Sequence, residues 1–142
     1  MKALVTLLAV AIALGSGSSA QALERTVTAS SGKEIVIARG GTAMGRASGC
    51  LSGPRPEVTV LEAPEHGKIA IRPLRFMPLS ADPGGTGECV NIVPVNGIGI
   101  FYRSAPGFRG SDRVRVRLSF ENRRSRRGGQ VTQEYSISII VK

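Results

Sequence analysis

The chain has 142 residues, enough for one domain. Its 19 Lys and Arg against 10 Asp and Glu leave a formal charge of +9, which favours polyanionic partners and says nothing about the fold. With two cysteines and one histidine, neither cysteine in a C-x-x-C spacing, the composition argues against a metal centre and implies no cofactor.

Met1-Lys2 supplies a positive start, and residues 3–14, "ALVTLLAVAIAL", are apolar except for Thr6. Residues 15–22, "GSGSSAQA", are small and polar and end in Ala20-Gln21-Ala22, an A-x-A cleavage pattern. The apolar run is 12 residues long, short for a bilayer of about 30 Å. The pattern predicts a signal peptide over 1–22, cut after Ala22, and a periplasmic or secreted domain over 23–142 with no transmembrane segment. Losing Lys2 with the leader lowers the formal charge from +9 to +8. In an exported chain Cys50 and Cys89 read as one disulfide, with two reduced thiols as the alternative. A closed loop of that length contributes about 4 kcal/mol by chain entropy.

No long amphipathic helix appears after residue 22. Short alternating segments recur between turn signals, predicting an all-β fold of about seven or eight antiparallel strands. "RTVTA" at 25–29 and "EIVIA" at 34–38 read as the first two strands. Residues 40–56 are loop-like in composition and hold Cys50. "VTVLE" at 58–62 and "KIAIR" at 68–72 read as a hairpin around a 63–67 turn. Residues 73–97, which hold Cys89, read as long and irregular. "IGIFYR" at 98–103, a corner at 104–112, "RVRVRLSF" at 113–120, a basic loop at 121–131 and "QEYSISIIV" at 133–141 complete the chain.

Side chains alternate between the faces of a strand. Val114, Val116, Leu118 and Phe120 therefore share one face, and Arg113, Arg115, Arg117 and Ser119 the other. In the last strand Tyr135, Ile137, Ile139 and Val141 form the core set. Matching core to core pairs Leu118 with Tyr135 and Val116 with Ile137, which leaves the arginines mostly unpartnered with Glu134 diagonal to Arg117. The loop beyond adds Arg123, Arg124, Arg126 and Arg127.

The corner has a mechanical reading. Pro106 fixes φ, and Gly107 and Gly110 permit backbone shapes that other residues avoid. Phe108 between them plugs the core edge, and Asp112 accepts backbone N–H bonds as the chain changes sheet. "YRSAPGFRGSDRVRV" resembles the end of bacterial Ig-like and cadherin-like domains, whose repeats often read Tyr-Thr-Pro-x-x-Gly-Phe-x-Gly-x-Asp-x-Phe-x-Tyr. Tyr102, Gly107, Phe108, Gly110 and Asp112 match, and Pro64, His66, Gly67 and Ile69 fit the family's upstream Pro-x-His-Gly-x-Val hairpin. Ser104 replaces a frequent proline, and Val114 and Val116 replace frequent aromatics. The resemblance covers residues 57–142 and implies an Ig-like β-sandwich of the bacterial envelope, used for binding or structure, with no chemistry of its own. Without an Asp-rich linker, the family's calcium sites and tandem stalk role do not carry over.

Two kinds of site compete. Closely spaced guanidiniums on one strand can grip carboxylates or phosphates, or can simply form a solvated face that discourages edge pairing. Nucleic-acid readers interleave aromatics with basic residues, and aromatics are 4% of this chain, so nucleic acid is a poor partner. His66 reads as a turn residue capping local backbone, and Glu62/Glu65 and Asp112/Glu121 as strand-end caps rather than acid–base pairs. No nucleophile-elbow, P-loop or dinucleotide motif is present, and Met44 and Met77 are too far apart in sequence to suggest copper carriage. The expectation is an exported, non-enzymatic interaction module whose basic face meets an acidic envelope component or protein. The alternatives are an inhibitor or accessory protein acting through the 40–56 and 73–97 loops, and an envelope enzyme with an unrecognised site.

Overall fold

The computed structural model describes residues 21–47, 49–79, 88–121 and 129–142. The expected leader, most of which precedes residue 21, and the arginines at 123, 124, 126 and 127 lie outside these residues.

Every regular element is a strand: β1 Leu23–Ala29, β2 Glu34–Gly40, β3 Ala43–Arg46, β4 Gly49–Ser52, β5 Glu57–Glu62, β6 Gly67–Phe76, β7 Val95–Ser104, β8 Gly110–Glu121 and β9 Gln130–Val141. Four form one sheet in the order β1-β9-β8-β5, three form a second in the order β2-β7-β6, and β3 and β4 form a separate hairpin. All pairings are antiparallel except β1 with β9, which is parallel. Among the described residues no helix is long and apolar enough to cross a membrane.

The two larger sheets share one buried cluster. Val114, Val116, Leu118 and Phe120 of β8 and Tyr135, Ile137, Ile139 and Val141 of β9 meet Ile37, Ala38, Ile100 and Tyr102 from the other sheet. Period-2 patterning explains this most clearly in β8, which buries one face and solvates the other, while the edge strand β5 buries no residue fully. Phe108 packs against the cluster from the corner.

Four expectations are corrected. Strands 58–62 and 68–72 do not pair with each other; β5 pairs with β8 and β6 with β7, so the 63–67 turn crosses between sheets. An alternating segment can serve either sheet, and the turn here is held by Asp112 rather than by cross-strand bonds. Residues 40–56 contain the β3–β4 hairpin, whose small residues hide any core-facing pattern. Residues 73–97 are less irregular than expected, because β6 continues through Pro73 to Phe76 and β7 begins at Val95. Proline is tolerated there because β6 is an edge strand, with no second neighbour to require its missing N–H. The strands therefore number nine among the described residues, seven of them in the two sheets that share the core.

The fourth correction concerns register. Strand β8 pairs with β9 as Val116↔Tyr135 and Val114↔Ile137, two residues from the expected alignment. The face parity survives such a slip, but Arg117 now lies directly opposite Glu134.

Candidate functional site

The corner positions one buried carboxylate. Gly107 and Gly110 both have positive φ, +80° and +139°, so the chain can leave β7 and enter β8 on the other sheet. This places Asp112, 7% exposed, beneath the 63–67 turn. Its Oδ1 accepts from the Glu65 and Arg113 backbone N–H groups at 3.0 and 2.9 Å. Its Oδ2 accepts from the His66 N–H at 3.0 Å and from the Tyr102 hydroxyl at 2.9 Å. With four donors converging on it, Asp112 is engaged as a structural clamp. Burial, and then the hydrogen bond and negative charge of Asp112, raise the Tyr102 phenol well above its ordinary value.

The His66 ring stacks on Phe108, centroids 4.3 Å apart and planes at 14°, with a Glu65 carboxylate oxygen at 4.0 Å. Its backbone carbonyl accepts from the Ala105 N–H at 2.8 Å. Sequence reasoning placed His66 in the turn but missed that its ring meets the corner aromatic. Ser104, the departure from the proline pattern, is buried and its hydroxyl accepts from the Gly32 N–H at 2.8 Å. Glu62 and Glu65 are both exposed beside this corner, while Glu121 lies at the far end of β8 from Asp112.

The arginine row on β8 is real but not unpartnered. Arg113 is exposed. Glu134 accepts from Arg117 Nε at 2.9 Å and Nη2 at 2.5 Å, and its second oxygen lies 3.5 Å from Arg115. The slipped register produces this grip, since a directly opposite carboxylate can reach two guanidiniums on the neighbouring strand. On the adjoining strands, Glu24 lies across from Ser136, Glu57 from Ser119 and Glu62 from Arg115, all in register positions of the same outer face.

No family model matches the chain, and no curated protein or solved structure does either. The charge distribution is therefore read from the strands themselves. The strands β1, β5, β8 and β9 carry four arginines and six carboxylates, the buried Asp112 among them, a formal −2. In β2, β6 and β7 the cations Arg39, Lys68, Arg72, Arg75 and Arg103 outnumber the single Glu34, a formal +4. Among the described strands the excess positive charge thus lies on the three-stranded sheet.

The predicted cysteine bridge is present. Cys50 on β4 is joined to Cys89, with Cα atoms 5.5 Å apart. It ties the β3–β4 hairpin to the segment that leads into β7, and Asn96 N–H donates to the Ser52 hydroxyl at 2.9 Å beside it. No cluster of three or more metal-ligating side chains occurs among the described residues.

Proposed function

We propose that this protein is an exported Ig-like interaction module that binds an acidic envelope component or protein and performs no chemistry. One observation carries the reading: no Lys or Arg side chain whose burial is described is buried, whereas among the described residues the one buried acidic or basic side chain is Asp112. Cations held on rigid strands and facing solvent suit recognition of anions. The strand arrangement supports the Ig-like part. Setting the β3–β4 hairpin aside, β1-β9-β8-β5 against β2-β7-β6 has the connectivity of an Ig sandwich whose first strand has moved beside the last. The disulfide fits an oxidising compartment, as export by a 1–22 leader would provide. Its position differs from the strand-B-to-F bridge of antibody domains, so the resemblance is architectural.

The test is retention of the 23–142 chain on an acidic matrix across a salt gradient. Binding through exposed cations should fade steeply above about 0.15 M salt, where screening acts over about 8 Å. Failure of the chain to bind any acidic matrix at low salt would sink the reading.

A second reading has its own observation. Leu51, Met77, Leu79 and Ile92 are exposed apolar side chains, and all belong to the two cysteine-tethered segments. The bridge brings the Leu51 and Ile92 neighbourhoods together, and Asn91 N–H donates to the Pro78 carbonyl at 2.9 Å. An inhibitor or accessory protein would make contact here. A pull-down unaffected by arginine replacement but lost on deleting 78–87 would establish it.

A further inference from the structure

Arginines on alternate residues mark β8, but the outer face of the β2-β7-β6 sheet carries the larger excess of cations among the described strands. Its outer face is built from cross-strand rows. Glu34, Arg103 and Lys68 stand in line across β2, β7 and β6. Four residues further along β7, Arg39, Gly99 and Arg72 form a second line. Between them lies Val36, Phe101 and Ala70. The backbones of the two rows are about 13 Å apart at about 3.3 Å per residue, but the Arg72 side chain crosses from the second row over Phe101 to Glu34 in the first.

The face is pre-organised. Arg72 stacks over the Phe101 ring at 4.0 Å and also donates to Glu34. Arg103 reaches the second Glu34 oxygen at 3.8 Å. One carboxylate is thus already held between two guanidiniums, with Arg103 and Arg72 side chains still 61% and 49% exposed. Glu34 shows the chemistry this face accepts. The Phe101 ring and Leu74 lie over Gly99, filling the centre of the second row, and Val36 is 43% exposed in the middle row.

We propose that the outer face of the β2-β7-β6 sheet is a docking site for an acidic protein segment, with carboxylates meeting Lys68, Arg72 and Arg103 and an apolar side chain seated on the exposed Val36 beside them. The inference rests on the proposed function and names its site and partner class. Charge complementarity favours an acidic partner over a second copy, because two copies each carrying a formal +8 after loss of the leader repel one another. The apolar middle row favours a protein segment over a uniformly hydrophilic polyanion. In an extended segment, an acid two positions from an apolar residue reproduces the spacing between the Lys68–Arg103 row and Val36.

The experiment uses the 23–142 chain and a synthetic peptide with two glutamates four positions apart about a leucine. Binding is measured by fluorescence anisotropy at low salt, beside anionic vesicles and an acidic polysaccharide. Replacing Lys68, Arg72 and Arg103 with serine should weaken peptide binding by about tenfold or more, as loss of charge-assisted pairs implies. Replacing Arg113, Arg115 and Arg117 with serine should change it less than about twofold. Glu34→Gln provides a control that misfolding cannot imitate. It frees Arg72 and Arg103 and should tighten binding severalfold. Loss of binding in the β8 variant alone, or no tightening with Glu34→Gln, would overturn the site while leaving the acidic-partner reading standing. Binding to vesicles or polysaccharide but not to the peptide would overturn the partner class. Concentration-dependent self-association that blocks the face would make a second copy the occupant and overturn it as well. If the chain binds none of the probes, the proposed function fails and the site with it.

Discussion

The Tyr102 hydroxyl donates to Asp112 Oδ2 at 2.9 Å, joining the end of one sheet to the start of the other across ten residues. That bond closes the corner from inside. The same carboxylate holds the turn that carries the chain from β5 to β6, so one side chain fastens two separate passages between the sheets.

Asp112→Ala should therefore be among the most damaging single changes. It strands the buried Tyr102 hydroxyl, at about 1–3 kcal/mol, and frees three part-buried N–H groups, those of Glu65, His66 and Arg113, at a smaller cost each. Urea unfolding should show a loss of at least about 3 kcal/mol. Tyr102→Phe, which removes one donor and leaves the acceptor with three, should lose about 1 kcal/mol.

Alkaline pH should act through the same pair. The raised Tyr102 pKa means that the unfolded phenol, titrating near 10.0, loses its proton first as pH rises. The native state then binds more protons than the unfolded state, and stability falls with pH. The contribution is whole below about pH 10 and drains away as pH climbs toward the folded value. Thermal melts of wild type should decline faster between pH 10 and 11.5 than those of Tyr102→Phe. Parallel slopes would remove the Tyr102 assignment.

The Cys50–Cys89 bridge fastens a peripheral hairpin rather than the shared core. Reduction, or Cys50→Ser with Cys89→Ser, should cost up to about 4 kcal/mol. Hydrogen exchange should rise first in Ala43–Arg46, Gly49–Ser52 and 88–94, while β8 and β9 stay protected. Uniform acceleration throughout the chain would contradict this local role.

Glu134 should couple to Arg117 and not to Arg113. Its carboxylate is mostly shielded while both guanidinium partners are about two-fifths exposed, so the pair is worth about 0.5–1 kcal/mol. A double-mutant cycle of Glu134→Gln with Arg117→Ser should return a coupling of that size at low salt, and the cycle with Arg113→Ser none. The reverse pattern would favour a different β8–β9 register.

Alternation in residues 113–120 and 133–141 was enough to assign both strands, their buried faces and the all-β class, because a side-chain period of two is a local property of extended backbone. The corner was legible for a similar reason: Gly107, Phe108, Gly110 and Asp112 each serve a local backbone demand. Register was not. A slip of two residues preserves every core-facing position, so patterning alone cannot separate Leu118↔Tyr135 from Val116↔Tyr135. Nor could patterning say that "VTVLE" and "KIAIR" belong to different sheets, since each is satisfied by any apolar layer beneath it.

Local chemistry thus determined most of the strands, the 104–112 corner and the paired cysteines. Tertiary structure alone decided which charges share a face. Arg72 and Arg103 are 31 residues apart in sequence yet bracket one carboxylate on β2, and the order of basic residues along the chain does not reveal that the strands of one sheet carry a formal +4 and those of the other −2. Electrostatic fields add over neighbours in space, and neighbours in space are fixed by strand order, which the chain acquires only on folding.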